Sequence, residues 1–389
     1  MWIVNARLIN DSGDVEPSLS HLEFDQDGYL SQITDQLPQD SGDNALDIEG
    51  DYLSLGGVDL QINGALGLAF PDLDTQNRDR LSEIGKFLWE QGVDAYAPTL
   101  VTTSIEKFQG SLAALDGYMA ETHPTSESKI LGAHLEGPCL NFQKRGAHPE
   151  QHLKPLTPEV MKSVVGEYGD RISIITLAPE MADSEQTLQR IRADLPQSTV
   201  ISLGHSLATD QEAAQAFEAG ATMVTHAFNA MPPLHHRAPG LLTTALTTPN
   251  VWSGFIADGK HVAPTMLKFL VQSRPETGLF LVSDALSPLG LPDGDYPWDD
   301  RTITVTDGTA RLPDGTLSGT TRPLLDGVKN LVQWGCCSAS KAIALATVAP
   351  RQAMGLPLIQ PGTPFNHFLR WTLNPDAREL DWKRCSLEQ

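Results

Sequence analysis

The sequence predicts a (β/α)8 TIM-like barrel with a small β-sandwich domain built from the N- and C-terminal segments. Three observations predict it. First, short apolar runs recur from residue 53 onward, each ending in a polar residue and most followed by a helical segment: LSLGGVDLQIN, AYAPTL, ILGAHLEG, SIITLAPE, TVISLGHS, MVTHAFNA, WSGFIADG and LFLVSDAL. Strands that are apolar on both faces and alternate with helices imply a parallel sheet. Eight of them in about 230 residues imply a closed barrel. Second, the segments between the runs carry helix punctuation. Thr157-Pro158-Glu159 offers an N-cap with proline in the first turn, Thr209 and Glu212 make a capping box, and EAAQAFEAG stops at Gly220. Third, the flanks have a different rhythm. Residues 1–52 read as short strands with turns, with Asp27-Gly28 in HLEFDQDGYLSQI as a hairpin signal.

The predicted organisation is therefore 1–52 and 351–389 as the two parts of the small β domain, enclosing a barrel over 53–350. After the eighth run, DGTARLPDGTLSG reads as a turn-rich insertion, followed by helical segments around 323–347. Composition is that of a globular protein with a real core, 40% hydrophobic and 20% charged. A net charge of −22 argues against nucleic acid or an anionic membrane surface as partner, and requires a local cationic pocket for any anionic substrate. Four cysteines, Cys139, Cys336, Cys337 and Cys385, show no CxxC spacing, which suits a reducing compartment. No apolar run approaches the ~18 residues of a membrane helix. The start MWIVNARLINDSGD lacks the basic and apolar regions of a signal peptide. The expected location is cytoplasmic.

Barrel active sites lie at the C-terminal ends of the strands. In order those ends carry Gln61 and Asn63, Thr99, Glu136, Glu180, His205, His226, Asp258 and Asp284. Glutamate with two histidines is a competent ligand set for a divalent ion, zinc or iron, with an open position for water. A further carboxylate at the eighth strand suits proton transfer to a leaving nitrogen. Metal-assisted hydrolysis follows from the pattern. A single histidine in a strand is more often a hydrogen-bonded core residue than a ligand. It is the joint register of His205, His226, Glu136 and Asp284 that favours a site. His134 points to the same side as Glu136 but one layer deeper, which suits a supporting role. Cys139 reads as a buried or pocket-lining thiol, Glu180 equally as a loop or capping carboxylate, and Lys144 and Arg145 as solvated loop cations.

HLEGPCLNFQKRGAH, SLGHSLATDQEAAQAFEAGATMVTHAFNAMPPLHHRAPG, GFIADGKHV, LVSDA and LSGTTRPLLDGVKNLV, in that order and spacing, resemble the N-acetylglucosamine-6-phosphate deacetylases of the amidohydrolase superfamily. The resemblance implies that Glu136, His205 and His226 hold one catalytic metal ion per subunit and that Asp284 is the general base. It implies that His148 contacts the acetamido carbonyl and that Asn229 and Ala230 help hold the sugar phosphate. Arg237 and His261 would bind the phosphate from the neighbouring subunit of a homodimer. Gln61 and Asn63 stand where many amidohydrolases carry His-x-His, which points to the single-metal branch. Cys139 replaces an expected bulky aromatic, so one pocket wall is expected to differ in shape.

The reaction implied is hydrolysis of the N-acetyl group of N-acetylglucosamine 6-phosphate. The alternatives are another phosphorylated N-acetyl amino sugar, such as N-acetylgalactosamine 6-phosphate, or a non-catalytic sugar-phosphate sensor on the same barrel. A base beside a metal set argues against a mere sensor.

Overall fold

The structure is a computed structural model describing residues 1–386 except 11–14, 16–17, 39–44, 185 and 275. Five strands open the chain: β1 (Trp2–Leu8), β2 (Ser20–Phe24), β3 (Leu30–Thr34), β4 (Ala45–Asp47) and β5 (Tyr52–Leu55). Eight barrel strands follow: β6 (Gly57–Ile62), β7 (Val93–Val101), β8 (Ala133–Glu136), β9 (Ile172–Leu177), β10 (Val200–Leu203), β11 (Ala221–Val224), β12 (Trp252–Phe255) and β13 (Leu279–Leu281). Each coincides with one of the eight apolar runs. Neighbours β6 through β13 pair in parallel in chain order. The ring closes where Ile62 bridges Ala285 and the Asp284 amide donates to the Gln61 carbonyl at 2.9 Å.

The strands are buried on both faces because helices cover the outside. All six residues of β6, and all but the last of β7, are buried. The helix punctuation read from the sequence is in place. Thr157 Oγ1 accepts from the Val160 amide ahead of helix Pro158–Val165. Thr209 and Glu212 form a complete capping box on helix Asp210–Glu218, and Gly220 turns out of it with φ 106°.

One feature differs from the sequence reading. The segment taken as a turn-rich insertion, residues 307–319, is the second half of an antiparallel four-stranded sheet: β14 (Gly294–Trp298), β15 (Arg301–Thr306), β16 (Thr309–Arg311) and β17 (Leu317–Thr320). Its inward residues Trp298, Ile303, Val305 and Ala310 pack with Ala69 and Leu286, so a satellite core forms over the barrel mouth. The Gly-Asp-Pro punctuation belongs to its turns, and the alternation between them is short enough to be hidden. The tail forms β18 (Phe368–Asn374) and β19 (Glu379–Arg384), with β18 antiparallel to β5 in one seven-stranded sheet with the N-terminal strands. Strand β1 serves both halves of that sheet, pairing β4 through Trp2–Val4, β5 through Arg7–Leu8, and β2 through Trp2, Ile3 and Ala6 across an irregularity at Asn5, which has φ 60°.

Asp94, at the start of β7, ties this sheet to the barrel. Its carboxylate accepts from the Gly56 amide and Arg351 Nη2, each at 2.9 Å, and from Arg384 Nη1 at 2.9 Å. Arg351 also donates to the carbonyls of Gly56 and Thr347, and the Arg384 guanidinium lies 3.6 Å over the Trp89 ring. Among the described residues, no helix is long and apolar enough to cross a membrane.

Candidate active site

Register fixes the site. Pairing of Glu136 with Val101 and Thr176, of Leu177 with Leu203, and of Leu203 with Val224 brings the strand ends to one rim. Three of the residues placed there hold left-handed backbone: His205 at φ 50°, His226 at φ 31° and Asp284 at φ 47°. Left-handed backbone at a non-glycine residue is uncommon and costs of order 1–3 kcal/mol, so its recurrence at one rim marks a functional centre. Beneath them lies a polar layer. His134 Nδ1 donates to the Leu60 carbonyl at 2.9 Å, and its Nε2 meets Thr176 Oγ1 at 2.7 Å. Thr176 and Ser202 each lie 2.6 Å from Thr225 Oγ1. Burial pushes His134 down to about 4, so it is a neutral supporting residue, as its depth in the strand implied. Gly204 is needed here, since a Cβ would meet Thr176 and Thr225 at 2.9 Å.

Glu136, His205 and His226 are all buried and converge. His205 Nε2 lies 3.2 Å and His226 Nε2 3.1 Å from Glu136 Oε1, and the two nitrogens stand 2.9 Å apart. Ligands of a tetrahedral zinc ion, at ~2.0–2.1 Å from it, sit about 3.3 Å from one another. The triangle is of that size. The His205 tautomer agrees: its Nδ1 donates to the Lys144 carbonyl at 2.8 Å, which leaves Nε2 as the free lone pair. The residues present therefore fit a divalent ion. Burial would raise the Glu136 carboxyl, but the two imidazoles facing it outweigh burial whenever they carry a proton on that side, and hold the group well below the usual carboxylate range.

Asp284 Oδ1 accepts from Asn63 Nδ2 at 2.8 Å and Gln61 Nε2 at 3.2 Å, and Gln61 Nε2 also reaches Glu136 Oε1 at 3.0 Å. The two first-strand amides, which stand where many amidohydrolases carry His-x-His, orient the carboxylates instead. Burial, reinforced by the Glu136 charge, pushes Asp284 up to about 6, which suits a base working near neutrality. His148 lies 3.9 Å from Glu136 through Nε2. Its Nδ1 lies 3.3 Å from the Thr102 amide nitrogen, and an amide only donates, so Nδ1 is the acceptor and Nε2 carries the proton. Burial pushes His148 down to about 3, so it is a neutral Nε2–H donor facing the centre. Thr102 carried no signal in the sequence, because its partner lies 46 residues away.

These groups line a cavity of about 220 Å³ together with Asn63, Asn229, Ala230 and His261. His261 is held by Asp258, whose Oδ2 lies 2.7 Å from Nδ1 and whose Oδ1 accepts the amides of Lys260 and His261. Burial would raise Asp258, but those bonds hold it below the usual range, so the His261 Nδ1 is the donor and Nε2 is left to the cavity of its own chain, which corrects the expectation that His261 reaches over from a neighbouring subunit. Glu180 is a loop carboxylate that accepts from Asn141 Nδ2, Ser206 Oγ and the Leu207 amide, fixing the segments on either side of His205.

Four residues lie elsewhere. Arg237 is exposed, on the coil between His226 and helix Gly240–Thr247, and does not line this cavity. Lys144 Nζ is turned to the Met231 carbonyl and Arg145 lies over the Phe142 ring. Cys139 is the buried thiol of its two sequence readings, packed against the Pro155 carbonyl and Met161; it does not line the cavity, so the expected change in a pocket wall is corrected.

No protein-family model matches the chain. It is similar to the curated N-acetylglucosamine-6-phosphate deacetylase of Bos taurus, 35% identical over 322 residues covering 81% of this chain and 77% of the relative. It is also similar to the N-acetylgalactosamine-6-phosphate deacetylase of Escherichia coli O157:H7, 30% identical over 299 residues and 77% of each. The crystal structure of N-acetylglucosamine-6-phosphate deacetylase from Pasteurella multocida superposes with a TM-score of 0.82 at 28% identity, covering 99% of both chains. On sequence, fold and the geometry of this rim, the chain belongs to the N-acetylglucosamine-6-phosphate deacetylase family of amidohydrolases.

Proposed function

We propose that the chain hydrolyses the N-acetyl group of N-acetylglucosamine 6-phosphate, giving glucosamine 6-phosphate and acetate. The observation that carries this reading is Asp284, a buried carboxylate pushed up to about 6, held beside the Glu136–His205–His226 triangle in one cavity. Glu136, His205 and His226 would hold one divalent ion, zinc or iron. When bound, that ion supplies Lewis acidity to the amide carbonyl and lowers the pKa of water.

The chain's own groups do the rest. His148 donates Nε2–H to the carbonyl oxygen and steadies the charge that develops there. Asp284 takes the proton of the attacking water and delivers it to the departing nitrogen, while Gln61 and Asn63 keep its carboxylate aimed. Asn229 and Ala230 position the sugar, and His261, fixed by Asp258, faces its phosphate.

Arg237 completes the phosphate site from the second subunit of a homodimer in this reading. Its exposure on the coil outside its own cavity supports that assignment, and a guanidinium fork suits phosphate oxygens. The test mixes Arg237→Ala with Asp284→Asn chains. Each variant alone should be nearly inactive, whereas a randomly reassorted mixture should recover about a quarter of wild-type turnover, because half of the dimers carry one intact site. A mixture no more active than its parts would remove the shared site.

The first experiment is acetate release from N-acetylglucosamine 6-phosphate, its 4-epimer N-acetylgalactosamine 6-phosphate and unphosphorylated N-acetylglucosamine, before and after chelation. The phosphorylated glucosamine derivative should be preferred over the plain sugar by at least ~100-fold in kcat/KM. Activity should vanish on chelation and return with a divalent ion. The relative named for the 4-epimer keeps that substrate as a second reading. One tightly held metal per chain with no sugar turned over would leave the barrel right and the substrate wrong. Four free cysteines and a net charge of −22 suit a cytoplasmic enzyme of amino-sugar catabolism.

A further inference from the structure

Beside the reaction cavity lies a second one of about 260 Å³, reached past Thr102, Thr103 and Ser104. Val101, Pro149 and Trp298 line both cavities, and the indole is the largest of the three. Trp298 is 6% exposed and packs in the satellite core with Ala69 and Leu286. The hairpin that carries it is pinned to the rim: Trp298 pairs with Arg301, and Arg301 Nη2 donates to the Ala147 carbonyl at 2.6 Å, next to His148.

The barrel order says which part of a substrate meets this wall. Val101 ends the second barrel strand. Asn229 and Ala230 follow the sixth and His261 the seventh, across the ring from it. On the reading of the function given above, on which this inference rests, the polar side takes the sugar phosphate and His148 takes the carbonyl oxygen. The acyl group's carbon chain is then left to the apolar side, Val101, Leu286 and Trp298.

We propose that Trp298 is the specificity-determining residue for acyl length. Its indole closes the reaction cavity behind the acetyl methyl and bars longer acyl chains from the neighbouring cavity.

The test measures kcat/KM for N-acetyl-, N-propionyl- and N-butyryl-glucosamine 6-phosphate with wild type, Trp298→Ala and Trp298→Leu. Wild type should prefer acetyl over butyryl by at least about 100-fold, since two methylenes must enter a filled space. Trp298→Ala should raise the butyryl-to-acetyl ratio by at least about 30-fold, and Trp298→Leu by an intermediate factor. A ratio shifted less than about threefold in both variants overturns the proposal. Wild type alone also decides, for comparable turnover of the butyryl substrate overturns it even if neither variant folds. Absence of acetate release by wild type would instead sink the functional reading, and this inference with it.

Discussion

Replacing Asp284 by Asn should lower kcat for acetate release by about 10³-fold or more while leaving metal content unchanged. The amide keeps an oxygen that can accept from Asn63 and Gln61, the two bonds that now aim the carboxylate, so the site's shape should survive. What is lost is the capacity to take a proton from water. The ion is held by Glu136, His205 and His226 in this assignment and not by Asp284, so metal analysis of the purified variant separates the two roles. Residual turnover within about tenfold of wild type would remove Asp284 as base, because positioned proton transfer contributes at least ~10²-fold. Loss of metal together with activity would instead make it a ligand.

The second large effect is on stability. Asp94→Asn should destabilise the protein by about 3–5 kcal/mol, because it leaves the buried guanidinium of Arg351 and the largely buried one of Arg384 without their carboxylate. Asn retains the volume, and the cavity term is therefore small. Burial would raise the Asp94 pKa, but His367 and the two arginines outweigh it, so the folded value lies below the ordinary one. A carboxyl depressed on folding contributes stability above its unfolded pKa, about 3.9, and loses it as pH falls towards the folded value. The difference between wild type and variant, measured as denaturant midpoints, should be full at neutral pH and shrink below about pH 4. Equal midpoints at pH 7 would show that the network between barrel and β sheet is energetically idle. The network links residues 56, 94, 351 and 384, so the loss should also loosen the packing of β18 and β19 on the barrel.

The parts of the protein legible in the sequence are those set by local chemistry and periodicity. Eight apolar runs became eight parallel strands because a strand buried on both faces must be apolar throughout, whatever its neighbours. Thr157, Thr209 with Glu212, and Gly220 act within one helical turn of themselves, so their roles could be read directly. Glu136, His205, His226 and Asp284 were legible as a set because strand ends in a barrel share one rim.

Tertiary structure decided everything that depends on which side chains meet across the ring. Gln61 and Asn63 lie more than two hundred residues from the Asp284 they orient. Nothing in their spacing distinguishes an orienting amide from an inert one. The proton on His148 is fixed by the Thr102 amide, and an amide proton direction exists only once β7 and the loop after β8 are in place. Cys139 lies three residues after Glu136 in sequence yet is buried in the core rather than lining the cavity, because the chain leaves the strand at Gly137, with φ 92°, and bends at 138–139. The sheet over Gly294–Trp298 and its partners was hidden because its strands are short and its turns dominate the composition. Sequence alone determined the barrel, its rim and the residue types there, since these follow from burial and local hydrogen bonding. Only the closed barrel and the sheet above it decided protonation, aim and the wall that Trp298 makes, because those are set by contacts between segments that no local pattern couples.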